Sequence, residues 1–181
     1  MRRQRSGARN GNLAVHVIAG FAGGLAGAFA QEHFQRALGR ISRDIGGVPG
    51  AGGQQYRRPQ SEPATFKAAD EVSKSVTGAP MSPENKPAAA EAIHYAFGGS
   101  VGAIYGAAAI DNPDITAGAG VPFGASVWLI ADEMGMPMLG LAKGPTDYPL
   151  RDHAATFASH LVYGVTTEAV RRLVLTILRS R

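Results

Sequence analysis

Charged residues are spread unevenly along the chain, and the gaps between them are long enough to predict helices that cross a bilayer. Leu13–Ala30 holds seven large apolar residues, six Ala and four Gly, with His16 as its one polar side chain. Ala92–Ile110 is a second segment of nineteen residues without formal charge, and Ile115–Ala131 a third of seventeen. A fourth runs from near Ala154 to Leu178, with Glu168, Arg171 and Arg172 in its second half. A hydrocarbon core of about 30 Å needs roughly 17–25 helical residues, so the first three segments meet the lower end. The fourth does so once its arginines snorkel to the headgroups. Each segment is weakly hydrophobic. Some seven strongly apolar residues at about −0.3 to −0.6 kcal/mol each supply roughly −3 kcal/mol, so insertion depends on neighbouring helices.

Between the segments the pattern changes. Gly39–Pro63 is rich in turn formers, including Gly46, Gly47, Pro49, Gly50 and the run Tyr56-Arg57-Arg58-Pro59, and is predicted as loop. Thr65–Val76 places Phe66, Ala69, Val72 and Val76 at helical spacing beside Lys67, Asp70, Glu71 and Lys74. That pattern predicts a short amphipathic helix. Ser82-Pro83 reads as an N-cap followed by proline at the first helical position, with Pro87 disturbing the first turns. Asp111-Asn112-Pro113-Asp114 is a turn, and Pro122 should kink the third span. Met134–Leu150 is broken by Pro137, Gly140, Gly144, Pro145 and Pro149. The expected fold is therefore all-α: a small integral membrane bundle of about four Gly/Ala-rich transmembrane helices. Its parts would be a basic tail (1–12), a first transmembrane helix (13–38), a polar loop with the amphipathic helix (39–91), a three-helix membrane core (92–178) and a basic tail (179–181).

Composition refines this picture. The apolar share of 45% is ordinary, because the average conceals the charge gaps. Glycine, at 24 of 181 residues, is about twice as frequent as usual and sits among Ala, Val, Ile and Phe, which favours close helix packing over a flexible linker. In a soluble bundle each such glycine would cost about 1 kcal/mol relative to alanine. The net charge of +4 comes largely from Arg2, Arg3, Arg5, Arg9, Arg171, Arg172, Arg179 and Arg181. These flank apolar segments as topology signals do, and they lack the aromatic or polar interleaving of a nucleic-acid interface. Both ends are expected on the cytoplasmic side, which requires an even number of spans. The first segment is expected to be an uncleaved anchor, with Ala28-Phe29-Ala30 as the competing signal-cleavage pattern. Zero cysteines excludes disulfides and thiolate chemistry.

The most specific constellation is Gly98-x3-Gly102-x3-Gly106, a face on which helix backbones can touch. Gly20/Gly24, Gly23/Gly27 and Gly120/Gly124 repeat the spacing. Packing within the chain is the preferred use, and a homo-oligomer seam the alternative. His94, His160 and Glu168 are the candidate polar site, since ionisable groups within a bilayer are costly. His160 and Glu168 lie about 12 Å apart along a helix, so a proton relay between them would need an intervening group in the space at Gly164. The preferred reading pairs Glu168 with Arg171 and Arg172. No metal-ligand spacing, phosphate-binding loop or nucleophile elbow is present, so neither metal nor cofactor nor catalysis is expected.

Ile93-His94-Tyr95-Ala96-Phe97-Gly98, Gly102-Ala103-Ile104-Tyr105-Gly106, Gly120-x3-Gly124, Pro137-Met138-Leu139-Gly140-Leu141 and His160-Leu161-Val162-Tyr163-Gly164 occur in sequence, followed by Glu168-x2-Arg171-Arg172. Residues 93–174 thereby resemble the YagU-like bacterial inner-membrane proteins, a family of unknown molecular function. The resemblance implies an inner-membrane location and a link to acid tolerance, and it supplies no catalytic residues. The expectation is a non-enzymatic multi-span protein of the bacterial inner membrane, with the lipid bilayer as partner and a role in envelope homeostasis or acid stress. The alternative is a small transporter or proton conductor using the intramembrane His and Glu.

Overall fold

In the computed structural model of the chain the described residues are 2–44 and 62–180. Residues 45–61 of the expected loop Gly39–Pro63 lie outside them. All regular structure among the described residues is helical. Helix α1 spans Arg2–Asp44, α2 Ala64–Thr77, α3 Lys86–Asp111 and α4 Val121–Val127. A π-helical stretch, Trp128–Gly135, carries α4 on into the single turn α5, Met136–Met138. The last helix, α6, runs from Leu150 to Arg179.

Several boundaries differ from the sequence expectation, each for a local reason. Helix α1 starts within the basic tail and continues through residues 39–44, because Gly39 alone does not break a helix whose neighbours are Ala37, Leu38, Arg40 and Ile41. Helix α3 begins at Lys86, not at Ser82-Pro83, and Pro87 lies in its first turn, where no intrahelical N–H bond is lost. The same holds for Pro122. The chain between Ile115 and Gly120 is a 3-10 turn and a left-handed run, so α4 starts at Val121 and Pro122 kinks nothing. Gly118, Ala119 and Gly120 have φ of 75°, 53° and 87°. At Gly120 that geometry also brings the backbone against Gly164, where a Cβ would overlap the Gly164 carbonyl carbon at 2.6 Å.

Helix α1 is the centre of the bundle and runs antiparallel to both α3 and α6. Its Gly20 and Gly24 oppose Gly102 and Gly98 of α3, and its Gly23 and Gly27 oppose Thr167 and Tyr163 of α6. The chain ends therefore lie at one end of the bundle, together with the turn after α3. The opposite end carries α2, the start of α3, the π-helical stretch and the start of α6. Helix α2 is amphipathic as expected, buries Ala69, and closes on Gly78 in the left-handed conformation. It is clasped to α3 by Lys86, whose Nζ lies 2.7 Å from Asp70 Oδ2 and 2.8 Å from Glu62 Oε1. The Lys86 bond holds the Asp70 carboxyl below its usual range.

The interior is unusual for its contents. Buried positions are small or polar: Ala19, Ala28, Gln31, Ser159, Thr167, Glu168 and Arg171 are among them. Large apolar side chains point outward, with Ile104 69% and Ile130 65% exposed. One helix, over Asn12–Ile41 within α1, is long and apolar enough to cross a membrane, with mean hydropathy 1.8.

Candidate functional site

Polar side chains of α6 recur every three or four residues on the face turned to α1, and they form two separate clusters. The first surrounds a cavity of about 140 Å³ at the end opposite the chain termini, bordered by Gln31, Glu32, His94, Asp132, Thr156 and His160. His160 Nδ1–H donates to the Thr156 carbonyl at 2.9 Å. Its Nε2 is thereby left as an acceptor, and Gln31 Nε2 reaches it at 3.3 Å. Asp132 Oδ2 stands 3.8 Å from His160 Nδ1, an ion pair only when the imidazole is protonated. Ser159, with no exposed surface, donates to the Thr156 carbonyl at 2.7 Å and accepts from Gln35 at 3.0 Å. His94 Nε2 lies 3.4 Å from the Ala28 carbonyl, and Tyr95 donates to Glu32 at 2.7 Å.

Just below the cavity, Tyr163 donates to the Gly98 carbonyl at 2.7 Å, and Thr167 donates to the Tyr163 carbonyl at 2.7 Å. The Tyr163 bond ties α6 to the glycine face of α3, while the Thr167 bond stays within α6. Beside them Gly124 faces the His160 carbonyl, and Gly164 is filled by the backbone of Gly120 and Gly124. The space that a relay between His160 and Glu168 would have used is therefore occupied by protein.

The second cluster is centred on Glu168, 1% exposed. Arg171 grips its carboxylate through Nε at 2.7 Å and Nη2 at 2.9 Å, Arg172 Nε approaches at 2.5 Å, and Tyr105 donates at 3.0 Å. Arg171 also lies over the Tyr105 ring, 5.6 Å from its centroid. Of the three candidate polar residues, His94 and His160 thus share a cavity while Glu168 belongs to a different, closed network. The i+3 and i+4 arginines are its partners. The pairing differs from a surface pair in being buried, which raises the cost of breaking it.

The five glycines singled out in the sequence lie at helix contacts. An added Cβ at Gly102 would sit 2.7 Å from Gly24 Cα, one at Gly98 2.9 Å from Ala28 Cβ, and one at Gly106 3.0 Å from Gly20 Cα. Gly120 and Gly124 meet α6 in the same way. Sequence reasoning missed Gln31, Tyr105, Asp132, Ser159 and Tyr163. The available signal was the spacing of Thr156, Ser159, Tyr163, Thr167 and Arg171, a polar stripe in step with Gly164.

At the start of α6, on the end opposite the chain termini, one further pair is built. His153 Nδ1 and Glu133 Oε1 are 2.7 Å apart, and His153 Nε2 reaches the Pro145 carbonyl at 2.9 Å. The Glu133 bond raises the His153 pKa above its ordinary value. Among the described residues no group of three His, Asp or Glu is arranged to hold a metal ion. The cavity, with two imidazoles and nearby carboxylates, can accept a proton or a small polar cation, and nothing in it forms a nucleophile–base pair.

No curated protein and no solved structure is significantly similar to the chain. Residues 60–169 match the model of DUF1440, proteins of unknown function, over helices α2 to α5 and most of α6. With more than half its length inside that match, the chain belongs to the DUF1440 family.

Proposed function

We propose that the chain is a four-span protein of the bacterial inner membrane, without catalytic activity, whose cytoplasmic ends flank a glycine-sealed bundle. The observation that carries this reading is the inverted distribution of side chains. Ile18, Phe29, Ile104, Ile130 and Leu173 face outward, while Gln31, Ser159, Thr167, Glu168 and Arg171 are buried. In water this arrangement would leave many large apolar side chains facing solvent, which marks a surface made for lipid or a partner. In lipid it is the expected one, because tails solvate the apolar residues and small residues let helices meet. The four spans would be α1, α3, α4 with its π-helical continuation, and α6; among the described residues only α1 is apolar enough to cross alone, so the other three would depend on their neighbours. The common end shared by α1's start and α6's finish supports placing both termini on one side.

Resemblance to the YagU-like proteins supports the inner membrane and a contribution to envelope homeostasis in acid. Reporter fusions after residues 12, 60, 112, 145 and 181 test the topology: 12, 112 and 181 should report cytoplasm, and 60 and 145 the outside. An external C-terminus rejects the reading. For the physiological part, deletion of the gene should lower survival at acid pH, and unchanged survival rejects that link.

A proton-conducting role is the second reading, favoured by the cavity that His94 and His160 share. Its weakness is the filled space at Gly164, which separates that cavity from Glu168. Purified protein in vesicles should show proton flux that His160→Phe abolishes. Absence of flux in the wild type ends that reading.

A further inference from the structure

We propose that the cleft at the termini-bearing end of the bundle binds a phosphate group, presented by the headgroup of an anionic phospholipid. The cleft, about 530 Å³, lies between the start of α1 and the ends of α3 and α6. Asn12, His16, Arg171, Arg172, Thr176 and Arg179 supply its polar wall. Three guanidinium groups face it, and Glu168, bound to two of them, is the carboxylate that opposes them. Asp111 and Asp114, on the adjoining turn, do not line it. Among the described lining residues and their ion-pair partners, three arginines thus meet one carboxylate. No carboxylate among the described residues pairs with Arg179.

The second observation is how Arg179 is held. Arg179 Nη2 lies 3.2 Å from His16 Nε2. A guanidinium can only donate, so Nε2 accepts and the proton of the neutral ring sits on Nδ1. His16 is 7% exposed, with the Gly106 backbone as a further polar neighbour, so the ring fixes the Arg179 guanidinium in the cleft wall without neutralising its charge. A phosphate suits it because its several acceptor oxygens match guanidinium donors in geometry and charge.

The lipid as source follows from position and rests on the membrane reading. Basic pockets between spanning helices on the cytoplasmic side bind anionic headgroups. Here the lining also includes the apolar Ile110 and Leu175, and Leu178, next to Arg179, is exposed.

The test uses the full chain, purified in mild neutral detergent and stripped of lipid by washing. Its melting temperature is read on adding micelles doped with phosphatidylglycerol, with phosphatidylcholine, or with inorganic phosphate alone. Phosphatidylglycerol should raise it, phosphatidylcholine should not, and salt should weaken the effect. Arg179→Gln should weaken apparent binding about fivefold, the usual weight of one basic residue at an anionic surface. If that variant does not fold, the salt dependence in the wild type and the lipid phosphorus retained on first purification carry the test. An equal rise with inorganic phosphate supports the anion site with a soluble occupant. No preference for either anion over phosphatidylcholine, or full binding by Arg179→Gln, overturns the proposal. A chain that stays monodisperse without detergent sinks the membrane reading instead, and the phosphate arm then decides the site alone.

Discussion

Replacing Gly102 by leucine should separate α3 from α1 and lower stability by about 3 kcal/mol or more, beyond the 1–3 kcal/mol typical of added core methylenes. Already the first added carbon would lie 2.7 Å from Gly24 Cα and 2.8 Å from Gly24 N, and closer still to the Gly20 carbonyl oxygen. Ordinary carbon contacts need about 3.5–4.0 Å, so the helices must withdraw by roughly 1 Å before the rest of the leucine is placed. Because Gly20, Gly24, Gly98 and Gly106 share that seam, withdrawal loosens all of them together. Gly99→Ala is the control. Its Cβ would meet the Phe21 ring at 2.7 Å, but that ring is exposed and can swing away. Alanine in a helix regains about 1 kcal/mol over glycine, so this variant should melt close to the wild type. For a chain of this size each kcal/mol is worth about 2–4 °C, which puts the Gly102→Leu melt roughly 6–12 °C or more below the wild type. Circular dichroism melts in detergent measure it. Coincident melting of Gly102→Leu and Gly99→Ala would refute the close-contact argument.

Glu168→Ala should cost about 3 kcal/mol, as for breaking a buried pair, since Arg171 is left 5% exposed without its carboxylate. A loss below about 0.5 kcal/mol, the scale of a surface pair, would show that Arg171 finds other solvation; the same melts read it. The raised pKa of His153 means that its pair with Glu133 is fully stabilising below the unfolded pKa of about 6.5 and fades as pH rises through the folded value. The melting difference between wild type and His153→Gln should therefore shrink as pH rises above about 6.5, and a difference that grows would reverse the assignment.

Much of the helix framework was legible because charge gaps and helical spacing survive any rearrangement of partners. The α2 pattern of Phe66, Ala69 and Asp70 gave its helix almost to the residue. The start of α4 was not legible, because Ile115–Ala131 reads as one apolar run and only the positive φ at Gly118, Ala119 and Gly120 interrupts it. Proline positions mislead in one direction: Pro122 reads as a kink inside an apolar run and Pro87 as a disturbance of first turns, whereas each sits where the helix starts and breaks no intrahelical bond. The site was half legible. Residue type singled out His94, His160 and Glu168, but a face is set by who packs against it. The backbones of Gly120 and Gly124 fill the step between His160 and Glu168, a long-range fact that local spacing does not contain. Ser159 and Gln31 were overlooked because uncharged polar residues leave no gap in a charge pattern.

The central place of α1 also fixes an order of events at the ribosome. Gln31 meets Ser159 across 128 residues of chain, and at about 5–20 residues per second that separation is roughly 6–26 s of synthesis. For that interval the Gly23 and Gly27 face of α1 stands without its partner, and α6 is the piece that closes it, α3 having closed the Gly20 and Gly24 face earlier. A truncation that removes α6 therefore leaves the earliest-made helix with one of its two seams permanently unfilled, while loss of α2 leaves both seams intact.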